Sequence, residues 1–226
     1  MNARQSAWLG VRRSLALAAG AVPFGIAYGI AATEAGWSPL QAVAMSIGVF
    51  AGAAQLAVIE LSAAGTSVGV LVLIAMVINS RMVLYSAGLS RAFSQHSLPR
   101  KFGLAYILTD QAYALTVARH EEPDGHRHDT AFYLGAGLTL WVAWQLGTLS
   151  GATLGVSGPE ALGLDFAAPL AFIALAVPAS QGRTNLITAA TAVATFLLAA
   201  ALPASLRLMA AIAVGITVGA LVDREP

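Results

Sequence analysis

Six side chains stand out because they are polar or ionisable and lie within stretches that are otherwise apolar: Gln55, Glu60, Asn79, Arg81, Asp110 and Gln111. Such groups are expensive at hydrocarbon depth, and where they occur they line solute routes, relay protons or pair with one another. Asp110 lies in the middle of its apolar stretch, so its carboxyl has to be protonated, paired or wet. Arg81 is the nearest partner by type. The pair either fixes two helices or serves a solute or a coupling proton. Asn79 and Arg81 follow the apolar run 71–78, and two helical residues subtend about 200°, so they face different partners. Arg81 at the end of its segment, and Glu60 close to the turn at 63–65, can also be read as side chains reaching an interface. Gly52 begins Gly52-Ala53-Ala54-Gln55, where a pliable backbone runs into a polar side chain.

Several chemistries lack their residues. All four histidines, His96, His120, His126 and His128, fall outside the apolar segments, and there are no cysteines. An intramembrane hydrolase of the Ser/His or zinc type needs a histidine at depth, and no His-Glu-x-x-His pattern is present. A phosphate-cradling Gly-x-x-x-x-Gly-Lys-Ser/Thr loop is also missing, which argues against direct ATP hydrolysis. The polar run from His120 to Asp129 contains metal-ligand types, but it reads as a solvated loop. The expectation is therefore no enzyme, no metal and no cofactor. Secondary transport, a passive channel and a non-transporting assembly subunit remain.

These residues must be positioned by membrane helices. Of the 226 residues, 58% are hydrophobic and 10% charged, with a mean hydropathy of +0.74. Water-soluble domains carry nearer a quarter of charged residues, so the missing polar surface implies lipid as the outer solvent. A formal net charge of +1 gives no reason to expect nucleic acid. Eight apolar segments are visible, at 14–32, 40–63, 68–89, 102–118, 131–150, 166–179, 184–202 and 206–222, where a crossing needs about 20 residues. The first outruns a signal-peptide core and is read as a spanning helix. The fold expected is an all-α bundle of about seven to eight hydrophobic segments, some broken or re-entrant. It forms one integral membrane domain over 1–226, with a core at 14–118 and C-terminal helices at 131–222.

Arg4, Arg12 and Arg13 precede the first segment and place the N-terminus in the cytoplasm. If every segment crosses, Arg91, Arg100 and Lys101 fall on the wrong side. The conflict eases if the second and fourth segments are broken and return to the side they entered from, which membranes tolerate only where the broken backbone is buried or lines a cavity. Glycines four apart (Gly25 and Gly29, Gly48 and Gly52, Gly215 and Gly219) predict close helix packing. A Gly-rich connection is expected at 151–165. No internal repeat is visible.

Phe50-Ala51-Gly52-Ala53-Ala54-Gln55, then Asn79-Ser80-Arg81 with Leu84-Tyr85, then Leu108-Thr109-Asp110-Gln111-Ala112-Tyr113-Ala114-Leu115, resemble the AzlC family, the large subunits of two-component branched-chain amino acid exporters. Pro23-Phe24-Gly25, Gly36-Trp37-Ser38-Pro39 and Ser46 also look like it. The likeness is strong over residues 21–115 and looser beyond. The family usually has Thr-Asp-Glu where this chain has Thr109-Asp110-Gln111, and often Asn-Leu-Arg-His where it has Asn79-Ser80-Arg81-Met82. A carboxylate and a histidine are therefore replaced, which puts proton coupling through either group in question.

The resemblance implies a multi-pass protein of a bacterial plasma or inner membrane, with a small hydrophobic AzlD-like partner and an amino acid as solute. It implies export driven by the proton-motive force. A zwitterion needs donors for its carboxylate and an acceptor for its ammonium. Arg81, or a half-helix N-terminus at Gly52–Gln55, suits the first, and Asp110 suits the second or the coupling proton. Gln55 and Asn79 are neutral hydrogen-bonding groups, and Gly52, Glu60 and Gln111 are secondary candidates.

Overall fold

The computed structural model describes residues 2–122, 129–157 and 182–222. These form ten helices and no strand: α1 (Ala3–Glu34), α2 (Pro39–Val49), α3 (Gly52–Ala63), α4 (Val68–Asn79), α5 (Arg81–Leu89), α6 (Leu98–Tyr106), α7 (Asp110–His120), α8 (Asp129–Ser157), α9 (Arg183–Leu198) and α10 (Ala204–Val222). The expected segment at 166–179 lies outside the described residues, as do His126 and His128. Two of the expected boundaries are corrected. The first helix starts eleven residues earlier than its apolar run, because Asn2 and Gln5 form a reciprocal capping box. The expected Gly-rich connection at 151–165 is helical as far as Ser157, because its glycines seat α8 on α1.

The α1–α8 pair is the scaffold. The two helices run parallel, with Gly10 against Phe132 and Ala136, Gly25 against Trp144 and Gly147, and Gly155 against Ile30 and Thr33. A methyl on Gly25 would come within 2.8 Å of the Trp144 carbonyl oxygen, so a side chain there would push the helices apart. In lipid, where water does not drive apolar groups together, this close backbone approach is what holds helices in contact. The expected pair Gly25 and Gly29 does pack in this way, and Gly215 and Gly219 meet Ala192 and Thr188 of α9. Gly48 meets nothing within 4 Å, so Gly48 and Gly52 are not a packing pair.

A few contacts fix which helix ends lie together. Near the start of α1, Arg13 pairs with Glu122, just past α7, and its guanidinium stands 5.8 Å from the centre of the Phe132 ring on α8. His96, just before α6, bonds Thr130 on α8 at 2.7 Å. The connection 90–97, the end of α7 and the starts of α1 and α8 thus share one end. At the other end the Trp37 indole, just past α1, donates to Ser62 near the end of α3 at 3.1 Å. The pair α2–α3 therefore leaves and returns at the far end, and α6–α7 does so at the near end. Arg91, Arg100 and Lys101 consequently lie at the end that carries Arg13.

Helix lengths agree. At 1.5 Å per residue α2, α3, α6 and α7 extend about 14–18 Å each, half of a 30 Å hydrocarbon core, whereas α1 and α8 extend about 48 and 44 Å. The stretch Val68–Leu89 has 22 residues and contains an 18-residue window with a mean hydropathy of 2.0. Ser80 within it keeps a helical backbone (φ −56°, ψ −27°), so α4 and α5 act as one rod of about 33 Å. By length and composition, Ala3–Glu34 and Val68–Leu89 are the two helices suited to crossing a membrane among the described residues.

Candidate functional site

The two broken segments meet at their breaks. α2 ends at Phe50, which has a left-handed backbone (φ 42°, ψ 49°). This is an unfavourable conformation for a bulky residue and persists only where the surroundings hold it. Here Phe50 is 7% exposed and packs among Ala27, Tyr28, Ala31 and Trp144. The other break spans residues 107–109, between α6 and α7. Tyr106 joins the two: its hydroxyl donates to the Ile47 carbonyl and accepts from the Trp141 indole at 2.9 Å, and its ring lies 6.4 Å from that of Phe50. The middle of α8 backs both, with Gly137 against Ile107 and Trp144 over Gly52.

At the first break the groups are neutral and enclosed. The Gln55 side chain is fully buried, and its Oε1 accepts from the Ala51 backbone N–H at 3.0 Å, which sets the amide orientation. The Tyr28 hydroxyl lies at the same amide and donates to the Ala42 carbonyl at 2.9 Å. Trp144 stacks on Tyr28 with ring centres 6.2 Å apart. Gly52 is required by this packing, since a methyl there would lie 2.7 Å from the Trp144 ring. α3 has no side-chain cap at its N-terminus. Trp144 Nε1 is a buried donor with no protein partner, whereas Gln55 Nε2 has the Tyr28 hydroxyl beside it. Buried polar groups nearly always have a partner, which makes the Trp144 indole N–H the open donor at this break.

At the second break the groups are charged and half open. Thr109 caps α7 by accepting from the Ala112 N–H. Asp110, first in the helix, gains from the partial positive charge of its N-terminus. The sequence placed Asp110 mid-segment; the structure corrects this to the start of a half-helix. Arg81 Nη1 reaches Asp110 Oδ2 at 2.8 Å, with both side chains 39% exposed. One guanidinium nitrogen makes the contact, and Arg81 Nε is left without a hydrogen-bond partner. Tyr85 lies beside the Arg81–Asp110 pair and stacks on Tyr113 at 4.6 Å.

Of the expected residues, the structure brings Arg81 and Asp110 together; Asn79 ends α4 two residues before Arg81 and makes no hydrogen bond with the pair. Gln55 and Gly52 belong to the other break, and no hydrogen bond or ion pair among the described residues links Gln55 to Arg81 or Asp110. Glu60 and Gln111 are exposed and take part in neither group. Tyr28, Tyr85, Tyr106, Trp141, Trp144 and Gln145 were missed. Gln145 donates to the Ser46 carbonyl at 3.3 Å and keeps an orphan Oε1; as a polar residue inside the fifth apolar segment, it was detectable by the rule that found Gln55.

The profile of the AzlC protein family matches residues 16–157, which hold both breaks and the scaffold pair. The chain belongs to the AzlC family. It is 31% identical over 188 residues to the inner membrane protein YgaZ of Escherichia coli (strain K12), covering 80% of this chain and 76% of that one. It is 29% identical over 168 residues to an uncharacterized membrane protein of Archaeoglobus fulgidus, covering 72% and 70%. A further uncharacterized membrane protein, from Helicobacter pylori (strain J99), is 26% identical over 162 residues, covering 71% and 70%. No solved structure matches. This family member is an all-helical membrane protein, and its family is one associated with membrane transport.

Proposed function

We propose that the chain is the transport subunit of a two-component system that exports branched-chain or similar hydrophobic amino acids, driven by the proton-motive force. The observation that carries the reading is the meeting of two half-helix breaks, one lined by neutral polar groups and the other by a half-open ion pair. Half-helices that start at mid-depth direct partial positive charge at anionic solute groups. The uncapped start of α3, with the open Trp144 Nε1 beside it, suits a carboxylate. Asp110 suits an ammonium or the coupling proton, and Arg81 would release it when a solute or proton arrives.

On this reading α2–α3 and α6–α7 are re-entrant hairpins entering from opposite faces, while α1, the α4–α5 rod and α8 cross. The near end carries Arg13, Arg91, Arg100, Lys101 and Arg119, so it faces the cytoplasm. An ion pair 39% open at mid-span cannot face acyl chains at acceptable cost. It faces a wet route or a second subunit, which is where a small hydrophobic AzlD-like partner would dock.

The test is flux in proteoliposomes made with and without such a partner, across an imposed pH gradient. Leucine accumulation that depends on both the partner and the gradient supports the reading. Leucine flux that ignores a protonophore and survives Asp110→Asn would make the protein a passive channel, and complexes that form but move nothing would make it an assembly subunit.

A further inference from the structure

Beside α5, α6 and the start of α8 lies a groove of about 270 Å3, open on one side. Leu89, Phe93, Leu104, Leu108 and Tyr133 line it, and Lys101 is the one charged residue in its wall. Of the second break only Leu108 borders it, and none of the polar groups at either break does. Its polarity changes along its length. Leu108 is part of the second break, whereas Lys101 belongs to the first turn of α6, at the end where His96 bonds Thr130. Arg100 stands next to Lys101 in sequence. Leu98 and Phe102 are 67% and 70% exposed and share one face of α6, four residues apart. No carboxylate among the described residues pairs with Lys101 or Arg100. The Tyr133 hydroxyl already donates to the Leu104 carbonyl at 2.7 Å.

We propose that this groove holds one acyl chain of an anionic phospholipid, with the lipid phosphate against Lys101. The wall has no acid to receive an ammonium, so a free amino acid is poorly matched. A molecule with a long apolar part toward the bilayer centre and an anion at the surface matches the wall from end to end. The opening on one side is what a chain entering from the surrounding leaflet requires. Such a lipid would tie the half-helix α6 to α5, so the charge of the leaflet would bear on the position of the second hairpin.

Native mass spectrometry of the full chain, given phosphatidylglycerol and phosphatidylcholine in equal amounts, tests this. One phosphatidylglycerol should be retained preferentially. Lys101→Gln should weaken that retention about fivefold, the size of one lysine's attraction to an anionic surface. Ala105→Trp, which adds bulk from the exposed α6 face into the groove, should lower retention while leaving the cation in place. Both positions are exposed, so neither variant disturbs the core. Equal retention of the two lipids, or retention unchanged in both variants, would overturn the proposal. Displacement of the lipid by free leucine would also overturn it, by giving the groove to the solute.

Discussion

The two breaks occupy the same level of the scaffold and are built from opposite materials. At the first, a strained Phe50, a buried Gln55 and two aromatic rings close around a helix start with no charge within it. At the second, Thr109 supplies an ordinary cap and an ion pair stands half open. The difference follows from what each must tolerate. A neutral amide can be buried if most of its hydrogen bonds are met, whereas a carboxylate and a guanidinium need a counter-charge and access to something polar. The first break is suited to rigid recognition, and the second to groups that change partner or protonation state.

The largest effect should come from disturbing what both breaks share. Gly151→Leu would drive a side chain into the Ile26 backbone, at a cost of about 3 kcal/mol or more. Folded protein recovered by size-exclusion chromatography should fall sharply, with leucine flux lost at both breaks. Next, Asp110→Asn should remove most of the gradient-driven leucine flux, because an amide can neither carry the coupling proton nor balance an ammonium. Its stability should change by under about 1 kcal/mol, because the pair is part-exposed. If flux and thermal stability instead fall together, the contrast between the breaks is wrong and the pair is a structural clamp.

Gln55→Leu should behave the other way round. It leaves the Ala51 N–H without its acceptor, costing about 1–3 kcal/mol of stability, and flux should fall mainly through a weaker KM for leucine. A lower maximal rate with unchanged KM would move Gln55 out of the solute's reach. The smallest effect is at the near end. Arg13, and secondarily Arg119, hold the Glu122 carboxyl below the usual carboxylate range. A depressed folded value means that the contact stabilises above the ordinary carboxylate pKa and is lost as pH falls through the folded one. The small difference in melting temperature between the wild type and Glu122→Gln should therefore be present at neutral pH and vanish in acid. A difference that persists unchanged at low pH would show that the charge of Glu122 is not what ties α7 to α1.

Much of this was legible without coordinates. Apolar runs without compensating charge announce lipid, and the polar residues inside them announce Gln55, Asn79, Arg81 and Asp110. The positive charges at 91–101 exposed a contradiction that eases if the second and fourth segments are broken. Motif order over residues 50–115 gave the family. These are local quantities, carried by residue type and spacing, and a chain states them wherever it folds.

Only the tertiary structure decided that Trp37 meets Ser62 and that Arg13 meets Glu122, contacts 25 and 109 residues apart in the chain. Those contacts close the two hairpins and bring their breaks together through Tyr106 and Ile47. The sequence grouped Gln55 with the charged pair; the structure assigns it to the opposite hairpin. Hydropathy measures how much a segment prefers lipid, not which end it leaves by. That choice is settled by which backbones can approach closely enough to pack, along the glycine seam of α1 and α8.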